Sequence, residues 1–378
     1  MNARRLRTSL RGWGGVGAMA VVCALAAVFA LLLPVSQSRE DGGTGADGQG
    51  VAQGSQAKAE DCVNPEDQSL APDSGPQDGA TIQKIKEKGS LTVGVDQNSY
   101  RFGYRDPNSE AKKAELEGFD IDLVHAIAQD ILGDPDKVVF RAIPTIERIP
   151  AIQRGDVDMV VRTMTINCER LGLVAFSSPY FKTGQQVLAP KKSDIKGYDD
   201  TLAGKRICSA SGSIALEKLQ DDLGKVIPKS ADISTVVPNQ LDCLVRLQLG
   251  EVDAVVTDGA LAASQAAQDP TVQLKGEPFT DEYYGVAMKK DATDLIRRVN
   301  QILVDYRKAD WQKSYDTWLA GTLGKSDGPP PVQRTSSGNV PVVPDEQFFR
   351  NCSSQIVLHA VLHEARGDRW ASRDPPGR

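Results

Sequence analysis

The sequence predicts an α/β protein with two lobes that share one cleft. A seven-residue phrase occurs twice, as Gly-Asp-Val-Asp-Met-Val-Val at 155–161 and as Gly-Glu-Val-Asp-Ala-Val-Val at 250–256. Each copy follows an amphipathic run, which is typical of a helix closed by a left-handed Gly and followed by a buried strand. Polar residues follow each strand, at 162–165 and 257–259. Because ligands of open α/β sheets bind beyond the carboxyl ends of the strands, these segments predict a binding site between the lobes.

Length and charge set the class of protein. The chain has 378 residues, enough for two domains, and its hydrophobic content of 40% is sufficient for buried cores. Its formal net charge of −6 provides no long-range attraction for nucleic acid or for an anionic membrane surface. We therefore expect no nucleic-acid partner.

The first 37 residues predict export. An apolar run without charges, from about residue 16 to residue 35, follows arginines at positions 4, 5, 7 and 11. A run of roughly 20 apolar residues can span a bilayer, and no clear cleavage site follows it, so 1–37 is a signal peptide or a retained signal anchor. We expect the protein on the extracellular face of the plasma membrane, anchored by this segment, or secreted if the segment is cleaved. Cys23 follows Val22 rather than a small residue, so a lipid anchor is not expected.

Composition divides the remainder of the chain. Residues 38–80 are rich in Gly, Asp, Gln, Ser and Pro and predict a flexible tether. We expect lobe 1 to comprise 81–185 and a returning segment at 283–325, with lobe 2 formed by 186–282. The chain would then cross between the lobes twice, near 185 and near 282, which predicts a hinge. Residues 326–378 predict a disordered tail.

Hydrophobic patterns predict the elements of each lobe in order. For lobe 1 they predict a helix at 81–88, strands at 91–95 and 138–140, a helix over 119–131 between those strands, and the first repeated helix and strand. For lobe 2 they predict a strand at 205–208, a polar turn at 209–213 that enters a helix, a helix at 240–249 and the second repeated strand. The amphipathic stretch at 294–319 predicts one long helix packed on lobe 1.

Six cysteines in an exported chain favour disulfides. Cys23 lies in the export segment and Cys352 in the tail, so four remain, with three possible pairings. We favour Cys208 with Cys243 because both fall in lobe 2, one on a strand and one on a helix. The remaining pair, Cys62 with Cys168, would then attach the N-terminal extension to lobe 1.

Donors for a ligand carboxylate are predicted on both lobes. Strand alternation puts Thr163 and Thr165 on one side, and Arg170 offers a fork that can bind a carboxylate through two parallel hydrogen bonds. In lobe 2, Ser213 and Ile214 begin a helix whose free N–H groups form an anion site. Taken singly, these features are more often a surface salt bridge and an ordinary helix N-cap.

An acceptor for an ammonium group is predicted from lobe 2. Asp258 ends the second repeated strand and would face the cleft as a buried acid, although a single Asp there more often caps a helix. Carboxylate donors on both lobes together with one buried acid fit an α-amino acid. The sequence therefore predicts binding of an amino acid.

Catalysis and metal binding have little support in the sequence. An enzyme would need a general acid or base in the cleft. His125, the one histidine of the predicted folded region, falls on a helix away from the strand ends. His359 and His363 have the spacing of zinc ligands but no third ligand, so no metal and no cofactor are expected.

Several segments resemble the polar amino-acid-binding members of the family 3 extracellular solute-binding proteins. They lie at 91–95, 117–123, 148–152, 165–170, 176–180 and 284–287, and the resemblance covers about 82 to 322 in the family's order. Residues 165–170 and 242–245 are also similar to the actinobacterial glutamine/glutamate-binding subgroup. The resemblance implies a periplasmic-binding-protein-like (type II) clamshell with two interlobe crossovers, and we expect it to be a monomer. It would close on glutamate, aspartate, glutamine or asparagine and present it to an ABC permease, or alternatively to a membrane sensor.

The resemblance also implies a role for each predicted site residue. Arg170 would bind the α-carboxylate together with Thr165. The Thr163 carbonyl and Asp258 would bind the α-amino group. The start of the lobe 2 helix, at 213–214, would complete the carboxylate site from the other side.

Selectivity for the ligand side chain is predicted from a loop and two arginines. In several relatives an aromatic residue of the first strand loop lies over the ligand, and here Ser99 takes that position, with Tyr100 and Phe102 close by. Arg162 and Arg148 are additional cations near the pocket and would favour an acidic side chain. The alternative for Arg148 is an ordinary position on a helix surface.

Overall fold

The computed structural model describes residues 62–76, 78–106 and 115–331. The predicted export segment, the first part of the predicted tether and the tail from 332 lie outside these ranges, as do Cys23, Cys352 and both tail histidines. Within them, the fold is α/β and has two lobes, as the sequence predicts, and each lobe is built round a five-stranded sheet.

The first part of the chain forms most of lobe 1. Its elements are α1 (Ala80–Lys88), β1 (Leu91–Val95), β2 (Asn98–Ser99), β3 (Gly103–Arg105), β4 (Leu116–Glu117), α2 (Phe119–Leu132), β5 (Val138–Ala142), α3 (Arg148–Arg154), β6 (Met159–Val160), α4 (Cys168–Leu173), β7 (Ala175–Phe176) and β8 (Phe181–Thr183). Short 3₁₀ turns lie at Pro65–Asp67 and Thr145–Glu147.

The second part forms lobe 2 and then returns to lobe 1. Lobe 2 comprises β9 (Gln185–Pro190), β10 (Arg206–Ala210), α5 (Ile214–Asp222), β11 (Asp232–Val237), α6 (Gln240–Gln248), β12 (Ala254–Asp258), α7 (Gly259–Gln268) and β13 (Val272–Lys275). The returning segment comprises β14 (Glu282–Tyr284), β15 (Ala287–Met288), α8 (Thr293–Tyr306), α9 (Asp310–Trp318) and α10 (Ala320–Leu323).

The two sheets have matching topologies. The strand order is β5-β1-β6-β15-β7 in lobe 1 and β11-β10-β12-β9-β13 in lobe 2. In each sheet three parallel strands are followed by an antiparallel strand that arrives from the other lobe, β15 in one case and β9 in the other. The strand of each repeated phrase, β6 or β12, therefore pairs directly with a strand that follows an interlobe crossover.

The two repeated helix-and-strand steps are confirmed. Gly155 follows α3 with a φ of 77°, and Gly250 lies after α6 with a φ of 70°. A side chain at either φ would be strained, so Gly ends both helices at low cost. The strands β6 and β12 that follow are buried along their whole length.

Three predictions about the elements are corrected. Residues 62–76 are not a free tether, because they pack on lobe 1 and bury Ser69. The long helix predicted over 294–319 is divided into α8 and α9. The break lets Trp311 donate its Nε1 hydrogen to the Tyr180 carbonyl at 2.7 Å and pack against the ring of Phe119, so tertiary packing overrides the helical pattern. The third correction concerns the predicted disordered tail. Its described part, 326–331, includes Pro330, which is buried against the folded protein.

Two disulfides link the cysteines in the pairs favoured from the sequence. Cys208–Cys243 joins β10 to α6 inside lobe 2, and both residues are fully buried. Cys62–Cys168 joins the N-terminal part of the described chain to the first residue of α4. Across the described ranges, none of the helices has both the length and the apolar character needed to cross a membrane.

We predict that replacing Cys208 and Cys243 together by Ala lowers the free energy of unfolding by about 3 to 4 kcal/mol. The disulfide closes a loop with a sequence separation of 35, which lowers the conformational entropy of the unfolded chain. Without the disulfide the unfolded chain regains this entropy, so the folded state is less favoured. Denaturant unfolding measures the change. The matched control is the Cys62→Ser/Cys168→Ser variant, in which reduction breaks only Cys208–Cys243 and should lower the free energy of unfolding by a similar amount. An oxidised variant with the wild-type midpoint would contradict the prediction.

Candidate functional site

The cleft between the lobes is lined by the carboxyl ends of strands from both sheets. Lobe 1 contributes Asp96 after β1 and the segment 162–165 after β6. Lobe 2 contributes the turn 211–213 after β10 and Asp258 at the end of β12. The two sheets therefore bring together the polar segments that the repeat identified in the sequence.

Thr163 has a conformation that the sequence did not predict. Its φ of 42° lies in the left-handed region, so the segment after β6 does not continue as a strand, and the alternation argument for Thr163 and Thr165 is wrong. The Thr163 N–H donates to Asp120 Oδ2 at 3.1 Å. Burial raises the pKa of Asp120 to about 7. Asp120 thus fixes the turn that carries the Thr163 carbonyl.

Arg170 is a buried cation at the start of a short helix. Asn167 caps α4 by accepting the Arg170 N–H at 2.8 Å. The Arg170 side chain is only 6% exposed, and it donates from Nη1 to the Thr165 carbonyl at 2.8 Å and from Nη2 to the Gly212 carbonyl at 3.2 Å. Its nearest carboxylate partner in the described chain is Glu217, at 3.9 Å. Burial lowers the pKa of Arg170.

Arg148 is a second buried cation beside Arg170. Its guanidinium donates from Nε to the Thr145 carbonyl at 2.8 Å and from Nη2 to the Gly212 carbonyl at 2.9 Å. No carboxylate of the described residues forms an ion pair with it. Burial and the nearby charges of Arg170 and Arg162 hold its pKa well below the ordinary value. The alternative of a helix-surface residue is wrong, because Arg148 is 3% exposed.

Two buried carboxylates lie in the same cleft. Gln185 Nε2 donates to Asp258 Oδ1 at 3.2 Å and to Glu282 Oε2 at 3.1 Å. Glu282 Oε2 also accepts the Thr165 hydroxyl at 2.7 Å. Burial, and then the charge of Glu282, raise the pKa of Asp258 to about 7. Within the described ranges neither carboxylate has a cationic partner, and the Asp258 side chain makes no capping hydrogen bond to α7, so the helix-cap alternative is wrong.

The start of α5 faces the cations from lobe 2. Ser213 is the N-cap of this helix, and its hydroxyl accepts the Leu216 N–H at 3.2 Å and donates to the Ala210 carbonyl at 2.6 Å. Ile214 is the first helical residue. A cavity of ≈ 160 Å³ adjoins this point and is lined from both lobes, by residues that include Arg148, Arg170 and Glu217.

Arg162 does not have the free charge that the sequence suggested. It is fully buried, and its Nη2 lies 2.9 Å from Asp96 Oδ2, so its charge is neutralised inside lobe 1. The same guanidinium donates to the Thr145 hydroxyl at 3.0 Å and to the Asn239 side-chain oxygen of lobe 2 at 3.0 Å. Arg162 therefore connects the lobes, and the prediction that it faces a ligand side chain is corrected.

The loop after β1 offers no aromatic ring at the predicted stacking position. Ser99 donates its hydroxyl to Asp96 Oδ2 at 2.8 Å and is buried. Phe102 is a fully buried core residue packed against Phe181, so its prediction as a ligand-binding residue is wrong. Tyr100 packs edge-on against Tyr104 outside the core.

Sequence reasoning missed four polar residues of the cleft. Asp96 follows β1 directly, so the strand-end rule that identified 162–165 applied to it as well. Gln185 and Glu282 lie at the two predicted crossovers, which marked the hinge but were not considered as site residues. Asp120 had no such signal, because its position beside Thr163 depends on the packing of α2.

Comparison with known proteins places this geometry in a family. Residues 91–321 match the bacterial extracellular solute-binding proteins, family 3. The chain is 34% identical over 241 residues to the ABC transporter glutamine-binding protein GlnH of Bacillus subtilis (strain 168), across 63% of this chain and 84% of that protein. It is 32% identical over 250 residues to the glutamate-binding protein GluB of Corynebacterium efficiens, across 63% of this chain and 80% of that protein.

The fold agrees with solved structures. The solute receptor for L-cysteine of Neisseria gonorrhoeae superposes with a TM-score of 0.58 at 27% identity, across 65% of this chain and 96% of that chain. This likeness confirms the predicted two-lobed, type II clamshell. Since the family match spans more than half of the sequence, the chain belongs to the bacterial extracellular solute-binding proteins of family 3.

Proposed function

We propose that this protein binds one α-amino acid with an acidic or amide side chain outside the cytoplasm and delivers it to an ABC importer. The observation that carries the proposal is the charge pattern of the cleft. Two buried guanidinium groups, on Arg148 and Arg170, lie near two buried carboxylates, on Asp258 and Glu282, without forming close ion pairs with them. The carboxylate of an amino-acid zwitterion would pair with the guanidinium groups, and its ammonium group would pair with the protein carboxylates.

The backbone of the ligand would be bound by residues of both lobes. Its carboxylate would pair with the Arg170 guanidinium and with the Thr165 hydroxyl, which would release Glu282, and Ser213 with the Ile214 N–H would complete the site. Its ammonium group would lie against Asp258 and the Thr163 carbonyl. A carboxylate carries the opposite charge and can accept two parallel hydrogen bonds from a guanidinium, so it is a better partner for Arg170 than the neutral Gly212 carbonyl.

Closure of the lobes would be part of binding. Arg148 and Arg170 of lobe 1 both donate to the carbonyl of Gly212 in lobe 2, so the cations already link the lobes across the cleft. A ligand that contacts both lobes favours the closed arrangement by its differential affinity for that arrangement. The crossovers near Gln185 and Glu282 are the proposed hinge, between lobe 1 (81–185 and 283–325) and lobe 2 (186–282).

Arg148 is the proposed determinant of side-chain selectivity. Arg162 is neutralised by Asp96, whereas Arg148 has only carbonyl oxygens as partners. An acidic ligand side chain would provide the charge that Arg148 lacks. The proposal fits the named relatives, of which one is a glutamine-binding and one a glutamate-binding protein.

The N-terminal segment is the proposed attachment to the membrane. Residues 1–37 would hold the protein at the extracellular face of the plasma membrane, or be removed if they are cleaved. An ABC permease is the proposed partner because the B. subtilis relative belongs to an ABC transporter.

Calorimetric titration with the common amino acids tests the proposed function. We expect micromolar or tighter binding of at least one acidic or amide amino acid, and recovery of the ligand unchanged. Absence of binding to every one of these amino acids by folded protein would overturn the proposal. A ligand that is converted to another compound would overturn the assignment as a binding protein.

We predict that Arg170→Ala abolishes detectable amino-acid binding without unfolding the protein. The ligand carboxylate would lose its charged partner in a buried site, at a cost on the order of 3 to 5 kcal/mol, or at least about a hundredfold in affinity. Titration and circular dichroism measure binding and fold. Arg154→Ala, at an exposed arginine on α3, is the control and should bind normally. Wild-type affinity in folded Arg170→Ala would reject the assignment.

We predict that binding weakens as the pH falls through 7, because Asp258 must be ionised to pair with an ammonium group. Its folded-state pKa is raised to about 7, so the ligand-free protein holds this proton at pH 6 and has largely lost it at pH 8. Affinity should fall about tenfold from pH 8 to pH 6. Asp258→Asn should bind weakly at both pH values. A des-amino analogue should bind both proteins equally, and equal losses for analogue and amino acid would make Asp258 structural.

We predict that glutamate or aspartate binds more tightly than its amide, and that Arg148→Met narrows this difference. A buried cation left without an anion is costly, so the acid gains more from Arg148 than the amide does. Titration of each acid and amide pair gives the ratio. Arg141→Met, at an exposed position of β5, is the control and should leave the ratio of acid to amide affinity unchanged. An amide that binds the wild type more tightly than its acid would remove the argument.

A further inference from the structure

Helix α4, which carries Arg170, is short and largely exposed to solvent. It has six residues, and Arg170 is the only one that is buried. A helix of this length is not stable in isolation. The Arg170 side chain has one hydrogen bond within its own segment, to the Thr165 carbonyl, and one across the cleft, to Gly212. The second bond depends on lobe 2, so separation of the lobes removes it.

Residues 62–73, which we call the N-terminal strap, fasten this segment on both sides. At its start, the Cys62–Cys168 disulfide bonds the strap to the first residue of α4. Just beyond the end of α4, Ser69 donates its hydroxyl to the Phe176 carbonyl of β7 at 2.8 Å. The strap therefore holds the 168–176 segment at two points that do not involve lobe 2.

The strap is itself fixed to lobe 1 by α8. Asn300 is fully buried, and its Nδ2 donates to the Ser69 hydroxyl at 2.7 Å and to the Leu70 carbonyl at 2.5 Å. The Asn300 side-chain oxygen accepts the Ser178 N–H at 2.7 Å. Arg297 donates to the Ala71 carbonyl at 3.1 Å. One helix of lobe 1 thus supports both the strap and the chain that follows β7.

We propose that the N-terminal strap positions Arg170 for ligand capture when the lobes are apart. When the lobes separate, the hydrogen bond to Gly212 is lost, and the strap still holds α4. The Arg170 guanidinium then keeps its position, so binding costs less conformational entropy. Cys62, Cys168 and Ser69 are positioning residues in this arrangement, because none of them is proposed to touch the ligand. The inference rests on the proposed ligand role of Arg170.

The test uses the full chain with the Cys62→Ser/Cys168→Ser double variant and with Ser69→Ala, which leaves the disulfide in place. Ser74→Ala is the matched control, since it makes the same chemical change at an exposed position just beyond the strap. The first measurement is amide hydrogen exchange of residues 168–174 without ligand. The second is the affinity for the amino acid that the wild type binds most tightly.

We expect both test variants to exchange these amides at least about tenfold faster than wild type and to bind at least about tenfold more weakly. Saturating ligand should restore much of the protection, because it holds Arg170 from the other side. Ser74→Ala should match the wild type in both measurements. Unchanged exchange and unchanged affinity in the double variant would overturn the proposal, as would faster exchange with wild-type affinity.

Chemical reduction provides an independent arm. Cys168 is exposed, whereas Cys208 and Cys243 are fully buried, so mild dithiothreitol should reach the strap disulfide first. The reagent gives two electrons and two protons to the disulfide, which becomes two thiols, and is itself oxidised to a cyclic disulfide. Reduced wild type should then behave as the double variant does, and the double variant should not respond. A wild type unaffected by verified reduction of Cys62–Cys168 would overturn the proposal.

Failure of the proposed function would give a different result. Hydrogen exchange is measured without ligand, so it reports on the strap even if no amino acid binds. A wild type that binds no amino acid overturns the ligand role of Arg170, and with it this inference. A wild type that binds, together with a double variant that binds equally well, overturns the strap alone.

Discussion

The structure depends on keeping opposite charges close together, buried and incompletely paired. Arg148 and Arg170 hydrogen-bond carbonyl oxygens, and Asp258 and Glu282 share the amide of Gln185. Burying such groups costs free energy that close ion pairs would partly return. The cations lie on helices α3 and α4 of lobe 1, whereas the carboxylates lie at β12 and β14, and no close ion pair joins the two sets. Burial raises the pKa of Asp258 and lowers the pKa of Arg148, in line with that cost.

The crossovers connect this charge arrangement to movement of the lobes. Gln185 begins β9 and is opposite Asp258 in the antiparallel register, while Glu282 begins β14 and accepts the Thr165 hydroxyl. Both residues thus belong to the segments that join the lobes and to the polar network of the cleft. A charge placed between Arg170 and Asp258 therefore acts next to the proposed hinge, where small changes in backbone angle become large displacements of the lobes.

Local patterns predicted much of this fold, and the errors have a common physical cause. The repeated phrase identified both helix-and-strand steps because glycine conformation and apolar periodicity depend on near neighbours. Arg162 was misassigned because its partner, Asp96, is distant in sequence, and only packing of β1 beside β6 brings them together. Phe102 was misplaced for the same reason, since the ring cluster that buries it contains Phe181 from a much later strand. The left-handed Thr163 depends on Asp120, from a different helix.

Arg148 and Arg162 show that the partner, rather than burial, determines the role of a charged residue. Both are buried in lobe 1 and both hydrogen-bond lobe 2, yet only Arg162 has a carboxylate at 2.9 Å. With its charge neutralised, Arg162 contributes to closure through the cap of α6, where Asn239 accepts its hydrogen bond and the Thr145 hydroxyl donates to Gln240 at 3.1 Å. These contacts join the two lobes directly. Arg148 and Arg170 lack a carboxylate at such a short distance, so they are the proposed places where an amino acid supplies the remaining free energy of closure.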